Sequence, residues 1–183
     1  GYSIYDMVFP DPDGGDGLFK SSSVRTKLFG APQEWKDANG VIVKKYSDAN
    51  NLLTGPFLTE PHLSKYSSKY SEMLKIVLSR MVSGGGKMMI YHNRVKMSGV
   101  LVIQEILRMA GIIDDSSDPT EDTLCALCGK RGRDHDGVSI DAPSADHKHD
   151  LPSADHKHDF TPARFVTAHS DMDKVTMGQN LTK

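Results

Sequence analysis

The residues best suited to chemistry are Cys125-Ala126-Leu127-Cys128-Gly129 and the histidines that follow. Two thiolates at CxxC spacing, with glycine allowing a tight turn after the second, form half of a zinc knuckle. Two more ligands are needed, and His135, His147, His149, His156 and His158 are available. In an extended segment residues two apart point the same way, so His156 and His158 can face one ion. The expected site is therefore Cys125, Cys128, His156 and His158 around a structural Zn²⁺. Such a site has no open position and no catalytic role. The competing reading is a solvated His-rich loop with two free thiols. A thioredoxin-type role is disfavoured, because that CxxC opens a helix after a strand and this one sits among turn formers.

Other candidates are weaker. Gly84-Gly85-Gly86-Lys87 lacks the GxxxxGK[ST] pattern: Met81 stands at the first glycine position and Met88 follows the lysine. The local order is helix to strand, the reverse of a phosphate loop, so the glycines read as helix termination. His92 to Gly99 follows an expected strand and opens an expected helix. There the backbone N–H groups of Ser98 and Gly99, with the charges of Arg94 and Lys96, would suit a nucleic-acid phosphate. The alternative is an ordinary solvated loop. Ser, His and Asp are plentiful, but no nucleophile elbow accompanies them.

The elements that must position these residues follow from periodicity. Residues 1–30 are turn-rich, with a short strand expected over Tyr5–Phe9, and 31–64 stay irregular apart from a hairpin turn at Asn39-Gly40. Tyr70, Met73, Leu74, Val77, Leu78 and Met81 recur at three and four residues, predicting a helix over 68–82 capped by Ser67 or Ser68. Met88–Tyr91 reads as a buried strand. A second helix is expected over about 98–110, ended by Gly111. Residues 114–159 are acidic, His-rich and turn-rich, and read as an insert. Within them Pro143–Asp150 recurs unchanged as Pro152–Asp159. This local duplication makes one copy dispensable. Arg164–Ala168 reads as a strand and Asp171–Leu181 as a helix. The order predicts an α/β fold.

The chain has 183 residues, a formal charge of −2 and 38 % hydrophobic residues, which implies one domain, or one plus a tail, with a small core. Near-neutral charge excludes a histone-like polycation but leaves room for a local basic patch. No apolar run approaches the ~18 residues of a membrane span. The N-terminus lacks a signal-peptide pattern, so no membrane partner and no secretion are expected. It also lacks a starting methionine, as in a piece of a longer protein.

Several segments together carry a resemblance. Leu63–Tyr70 before an apolar helix, then Gly86–His92 and Ser98-Gly99, resembles the entry into the second RecA-like domain of superfamily 2 helicases. More narrowly it is similar to the helicase-type ATPases of nucleocytoplasmic large DNA viruses, a group that includes the ATPase subunit of the poxvirus early transcription factor. Lys87–His92 would be the strand of helicase motif IV. The Cys125/Cys128 insert, His158–Phe165 and Ala168-His169-Ser170 also resemble these viral proteins. The resemblance covers roughly 50–183, and more loosely Phe9–Lys20.

The resemblance implies a partial RecA-like parallel sheet with flanking helices. Its parts would be an irregular interdomain segment (1–64), the first part of the second RecA-like domain (65–113), the Cys/His-rich insert (114–160) and a continuation of that domain (161–183). It implies a DNA-backbone partner touched by Arg94, Lys96 and Ser98. Viral RNA polymerase or a transcription factor subunit would be a further partner. The place of action would be the viral particle or the host-cell cytoplasm. ATP and Mg²⁺ would belong to the longer protein, since this chain has neither the phosphate loop nor the acidic Mg²⁺ motif, and motifs V and VI would lie beyond Lys183. The alternative from another class is a non-enzymatic, zinc-stabilised interaction module.

Overall fold

The computed structural model describes residues 6–15, 17–18, 21–45, 52–84, 86–135 and 158–170. In chain order these form α1 (Ser21–Gly30), β1 (Glu34–Lys36), β2 (Ile42–Lys45), β3 (Leu53–Thr54), a 3₁₀ turn (Pro56–Leu58), α2 (Leu63–Tyr66), α3 (Ser68–Val82), α4 (Val100–Ala110), β4 (Ile113–Asp114), a second 3₁₀ turn (Gly132–Asp134) and β5 (Arg164–Phe165). This mixture of helices and small sheets is consistent with the α/β expectation. Among the described residues no helix is long and apolar enough to cross a membrane.

β1, β2 and β3 form an antiparallel sheet, with Trp35 opposite Val43 and Lys44 opposite Thr54. Asp37 builds the hairpin by accepting the backbone N–H groups of Asn39 and Val41, each at 2.8 Å, while Gly40 takes φ +77. Trp35 and Val43 face inward and join Leu53, Phe57 and Leu58 in the core. At the end of α1, Lys45 Nζ donates to the carbonyls of Leu28 and Ala31, supplying the charge and donors that a helix C-terminus lacks.

α3 matches the predicted helix. Tyr70, Leu74, Val77 and Met81 form its buried face, and Ser67 Oγ accepts the Tyr70 N–H at 3.0 Å as N-cap. α4 buries Val102, Ile103, Ile106 and Leu107. It ends at Gly111, whose φ of +99 only glycine adopts without strain. One apolar cluster runs from Met7 through both helices to Ala163.

β4 and β5 pair in parallel through Ile113–Arg164 and Asp114–Phe165. The expected strand over Arg164–Ala168 is thus shorter than its apolar pattern. The expected buried strand at Met88–Tyr91 does not form. Those residues carry no regular secondary structure, and Met89 and Tyr91 are 93 % and 83 % exposed. Apolar β-formers make a buried strand only where neighbouring strands accept their hydrogen bonds, and none does among the described residues. Residues 31–64 hold more regular structure than expected, and α1 lies in the stretch read as turn-rich. The Tyr5–Phe9 strand reduces to a bridge between Phe9 and Leu18, with Tyr5 outside the described residues. The helix expected over 171–181 also lies outside them.

Candidate metal centre and the loop before α4

The knuckle begins as a tight turn. Gly129 takes φ +71 and donates its N–H to the Cys125 carbonyl, while the Cys125 N–H reaches the Lys130 carbonyl, both at 2.8 Å. This turn brings the two sulfurs to one side. Downstream, Gly132 N–H bonds the Thr123 carbonyl and Arg133 N–H the Glu121 carbonyl. The Arg133 guanidinium pairs with the Asp122 carboxylate, and Arg131 donates to the Asp122 carbonyl at 2.8 Å. The 3₁₀ turn that precedes His135 is thereby held against the start of the knuckle.

On the other side the chain returns through His158. Ala126 N–H donates to the Thr161 carbonyl at 2.7 Å and Ala163 N–H to the Leu124 carbonyl at 2.8 Å. The result is a cluster of Cys125, Cys128, His135 and His158 whose ligand atoms all lie within 4.8 Å of one another. Cys125 Sγ is 3.4 Å from His158 Nε2, and the Nε2 atoms of His135 and His158 are 3.1 Å apart. Cys125 is fully buried, and the other three are half-buried.

These separations can be compared with tetrahedral zinc. Zn–S near 2.3 Å and Zn–N near 2.0–2.1 Å place neighbouring N atoms about 3.3 Å apart and N and S about 3.5 Å apart. The donor set therefore fits a four-coordinate thiolate–imidazole ion. His135 Nδ1 is buried without a hydrogen-bond partner in the structure, whereas its Nε2 faces the other ligands. Burial, joined by the neighbouring Cys125 sulfur, pushes the Cys128 thiol above its ordinary range, and Lys130 pulls against it. A cation would supply the charge that two adjacent thiolates need.

Of the four expected ligands, Cys125, Cys128 and His158 come together here, and His156 lies outside the described residues, as do His147 and His149. His135 takes the fourth place in the cluster; it is among the available histidines, but the two-residue spacing selects His156 and His158. The available signal was its place a few residues after the second cysteine, next to a basic turn.

The loop from His92 to Gly99 is tied down by a buried polar group. His92 Nδ1 accepts the Arg94 N–H at 3.0 Å, which leaves the proton on Nε2. Nε2 lies 3.1 Å from Asp6 Oδ2 and 3.2 Å from Tyr70 Oη. Tyr70 itself donates to the Ser98 carbonyl. Asp6 also holds Lys69 at 2.6 Å. Burial raises the Asp6 carboxyl, but Lys69 and His92 outweigh it and leave the group below its ordinary value.

The expected phosphate cradle is altered by this folding. Gly99 N–H donates to the Lys96 carbonyl, Val100 N–H to Arg94 and Leu101 N–H to Val95. These N–H groups at the start of α4 are consumed by the loop, and Ser98 is 5 % exposed. Of the groups expected to form that cradle, the side chains of Arg94 and Lys96 are exposed, whereas Ser98 and Gly99 are buried. Met97 takes a left-handed φ of 59, uncommon outside glycine. Gly84 follows the end of α3 with φ +71, and among the described residues no helix begins before α4.

No family model and no solved structure matches the chain. Curated relatives do. The chain is 38 % identical over 194 aligned positions to the early transcription factor large subunit homologues of African swine fever virus, from the South African tick, Namibian warthog and Badajoz isolates. The alignment covers 98 % of this chain and 16 % of each relative, so the chain spans about one sixth of their length. Over nearly its whole length, the chain is similar to one segment of the African swine fever virus early transcription factor large subunit homologues.

Proposed function

We propose that the chain is a segment of a viral superfamily 2 helicase-type ATPase that acts on duplex DNA in early transcription. The observation that carries this reading is the 38 % identity, over 98 % of the chain, to proteins named as early transcription factor large subunit homologues. The order α3, α4, β4, insert and β5, with β4 and β5 parallel, supports it, since a RecA-like domain alternates helices with parallel strands. In the longer protein the exposed Met88–Tyr91 run takes its place as a strand of that sheet. ATP and Mg²⁺ are bound by parts of the protein outside this chain, at an interface between two RecA-like domains.

Arg94 and Lys96 contact the DNA backbone through their side chains, and Ser98 sets the loop's shape from beneath. The partners are viral RNA polymerase and other transcription factor subunits, and the place of action is the viral particle or the host-cell cytoplasm. The metal at the Cys/His cluster is a structural Zn²⁺, since four protein ligands leave no coordination site for a substrate.

The test is DNA binding and DNA-stimulated ATP hydrolysis by the full-length protein with Arg94→Ala and Lys96→Ala together. Each lost phosphate contact should lower the slope of log affinity against log salt by about 1. Hydrolysis without DNA should be unchanged. An unaltered salt slope would remove these residues from the interface.

A second reading, a non-enzymatic interaction module, is favoured by the apolar cluster that unites Met7 with Ala163 among the described residues. It predicts that the isolated chain melts in one sharp transition and that the full-length protein hydrolyses no ATP.

A further inference from the structure

We infer that the knuckle holds its metal through Nε2 of His135 and His158, with His156 outside the coordination sphere. We further infer that this ion is the clip that fixes where β5 enters its pairing with β4. The inference rests on the zinc reading above, and adds the ligand set and the mechanical role.

The ligand set follows from closure. Cys125, Cys128, His135 and His158 already bring four donor atoms within 4.8 Å of one another, and a structural tetrahedral site has no fifth place. The two imidazoles meet through Nε2 at 3.1 Å, close to the separation that a shared tetrahedral ion imposes. Both Nε2 lone pairs then aim at one centre. A hydrogen bond between the rings would instead satisfy only one of them.

The mechanical role follows from topology. β4 and β5 share only two residue pairs, and their connection is a crossover in which Arg164 lies fifty positions after Asp114. Two pairs do not hold a strand against the entropy of closing such a loop. The additional hold comes through the knuckle. Leu124–Ala126 bonds to Thr161–Ala163, and the Ala163 carbonyl accepts the Ile113 N–H at 3.0 Å. His158 lies three residues before Thr161, so an ion shared with Cys125 anchors that ladder at its start. His135, fastened through Asp122, anchors the opposite side. The ion thus joins His135 to His158 and sets β5 in register.

The experiment uses the 183-residue chain loaded with Zn²⁺, and then with Co²⁺ as an optical probe. One ion per chain is expected. A Cys in place of a true histidine ligand keeps four donors, so the variant retains its fold while the number of sulfurs rises from two to three. His135→Cys and His158→Cys should each raise thiolate-to-cobalt charge-transfer intensity by about half, and His156→Cys should leave it unchanged. Chelation should cut amide-exchange protection of Ile113 and Ala126 at least tenfold, while Leu74 in α3 keeps its protection.

Each contrary result is distinct. A gain at H156C with none at H135C overturns the ligand set and leaves the zinc reading standing. Bound metal with unchanged Ile113 protection after chelation overturns the clip. No metal bound by the native chain overturns the zinc reading itself.

Discussion

Replacing Arg108 by methionine should destabilise the fold by about 2–3 kcal/mol. Glu105 on α4 is 2 % exposed. Its carboxylate accepts the Thr54 hydroxyl at 2.8 Å and pairs with Arg108 at 2.5 Å. Arg108 also reaches Asp114 of β4 at 3.5 Å and lies over the Phe165 ring of β5 at 5.4 Å. One guanidinium therefore ties α4, β4 and β5 together. Exposed pairs contribute about 0–1 kcal/mol, whereas stripping the partner from a buried charge costs about 3–5 kcal/mol. Arg108 is itself 38 % exposed, so water can partly replace it, which places the loss between these limits. For a chain of this size the change lowers Tm by roughly 5–10 °C. The assay is urea unfolding by circular dichroism at saturating Zn²⁺. Glu105→Gln with Arg108→Met should recover at least ~1 kcal/mol of the single-variant loss, because no buried charge is left unpaired. A cost below ~1 kcal/mol for R108M, or strict additivity in the double variant, would refute this account of the pair.

Three further outcomes are expected. The Ser116 and Ser117 hydroxyls hold the Asp114 carboxyl far below its ordinary value, and Asp6, Asp11 and Asp37 are also lowered against the effect of burial. A depressed carboxyl contributes stability that is fully present above the unfolded value of about 4 and is lost as pH falls through the folded value. Urea midpoints should therefore drop below about pH 4, and less steeply in Asp114→Asn. Gly111→Ala should cost about 2 kcal/mol or more, because the left-handed φ strains a non-glycine residue and the new Cβ would sit 2.5 Å from the Asp122 carbonyl. The same variant should weaken metal binding, read by competition with a chromogenic chelator, since Asp122 fastens the His135 turn. Deleting residues 143–151 removes one octamer and its spacer and leaves the other leading directly into Phe160. Metal stoichiometry should stay at one ion per chain; a drop toward zero would show that both copies are needed.

Local signals were legible in the sequence where one element satisfies its own backbone. The 3.6-residue spacing of Tyr70, Leu74, Val77 and Met81 gave α3, and Gly111 gave the end of α4. Asn39-Gly40 marked a real hairpin, whose Asp37 acceptor is a local feature too. Strands failed where their partners are remote. Met88–Tyr91 has the composition of a buried strand, yet its hydrogen bonds need neighbours that composition does not name. The three-stranded sheet and α1 were hidden because Pro, Gly and Asn punctuate their ends and the elements between are short. At the metal centre the CxxCG turn is local and was readable. The place of His135 was not, since extended-chain reasoning favours a close HxH pair, whereas a turn and the Asp122 anchor carry His135 to the cluster beside His158. At the start of α4, helix-terminus reasoning placed free N–H groups at Ser98 and Gly99, and the loop's own carbonyls take up the Gly99 donor and those of the residues after it.

The most direct test of the central claim is to read the gene on both sides of Gly1 and Lys183. A segment of a viral transcription ATPase requires a GxxxxGK[ST] phosphate loop and an acidic Mg²⁺-binding motif upstream. It also requires an arginine-bearing motif downstream that reaches the γ-phosphate. Finding all three in one reading frame is the predicted result. A start codon directly before Gly1 with a stop directly after Lys183, or long flanks without a phosphate loop, would contradict it.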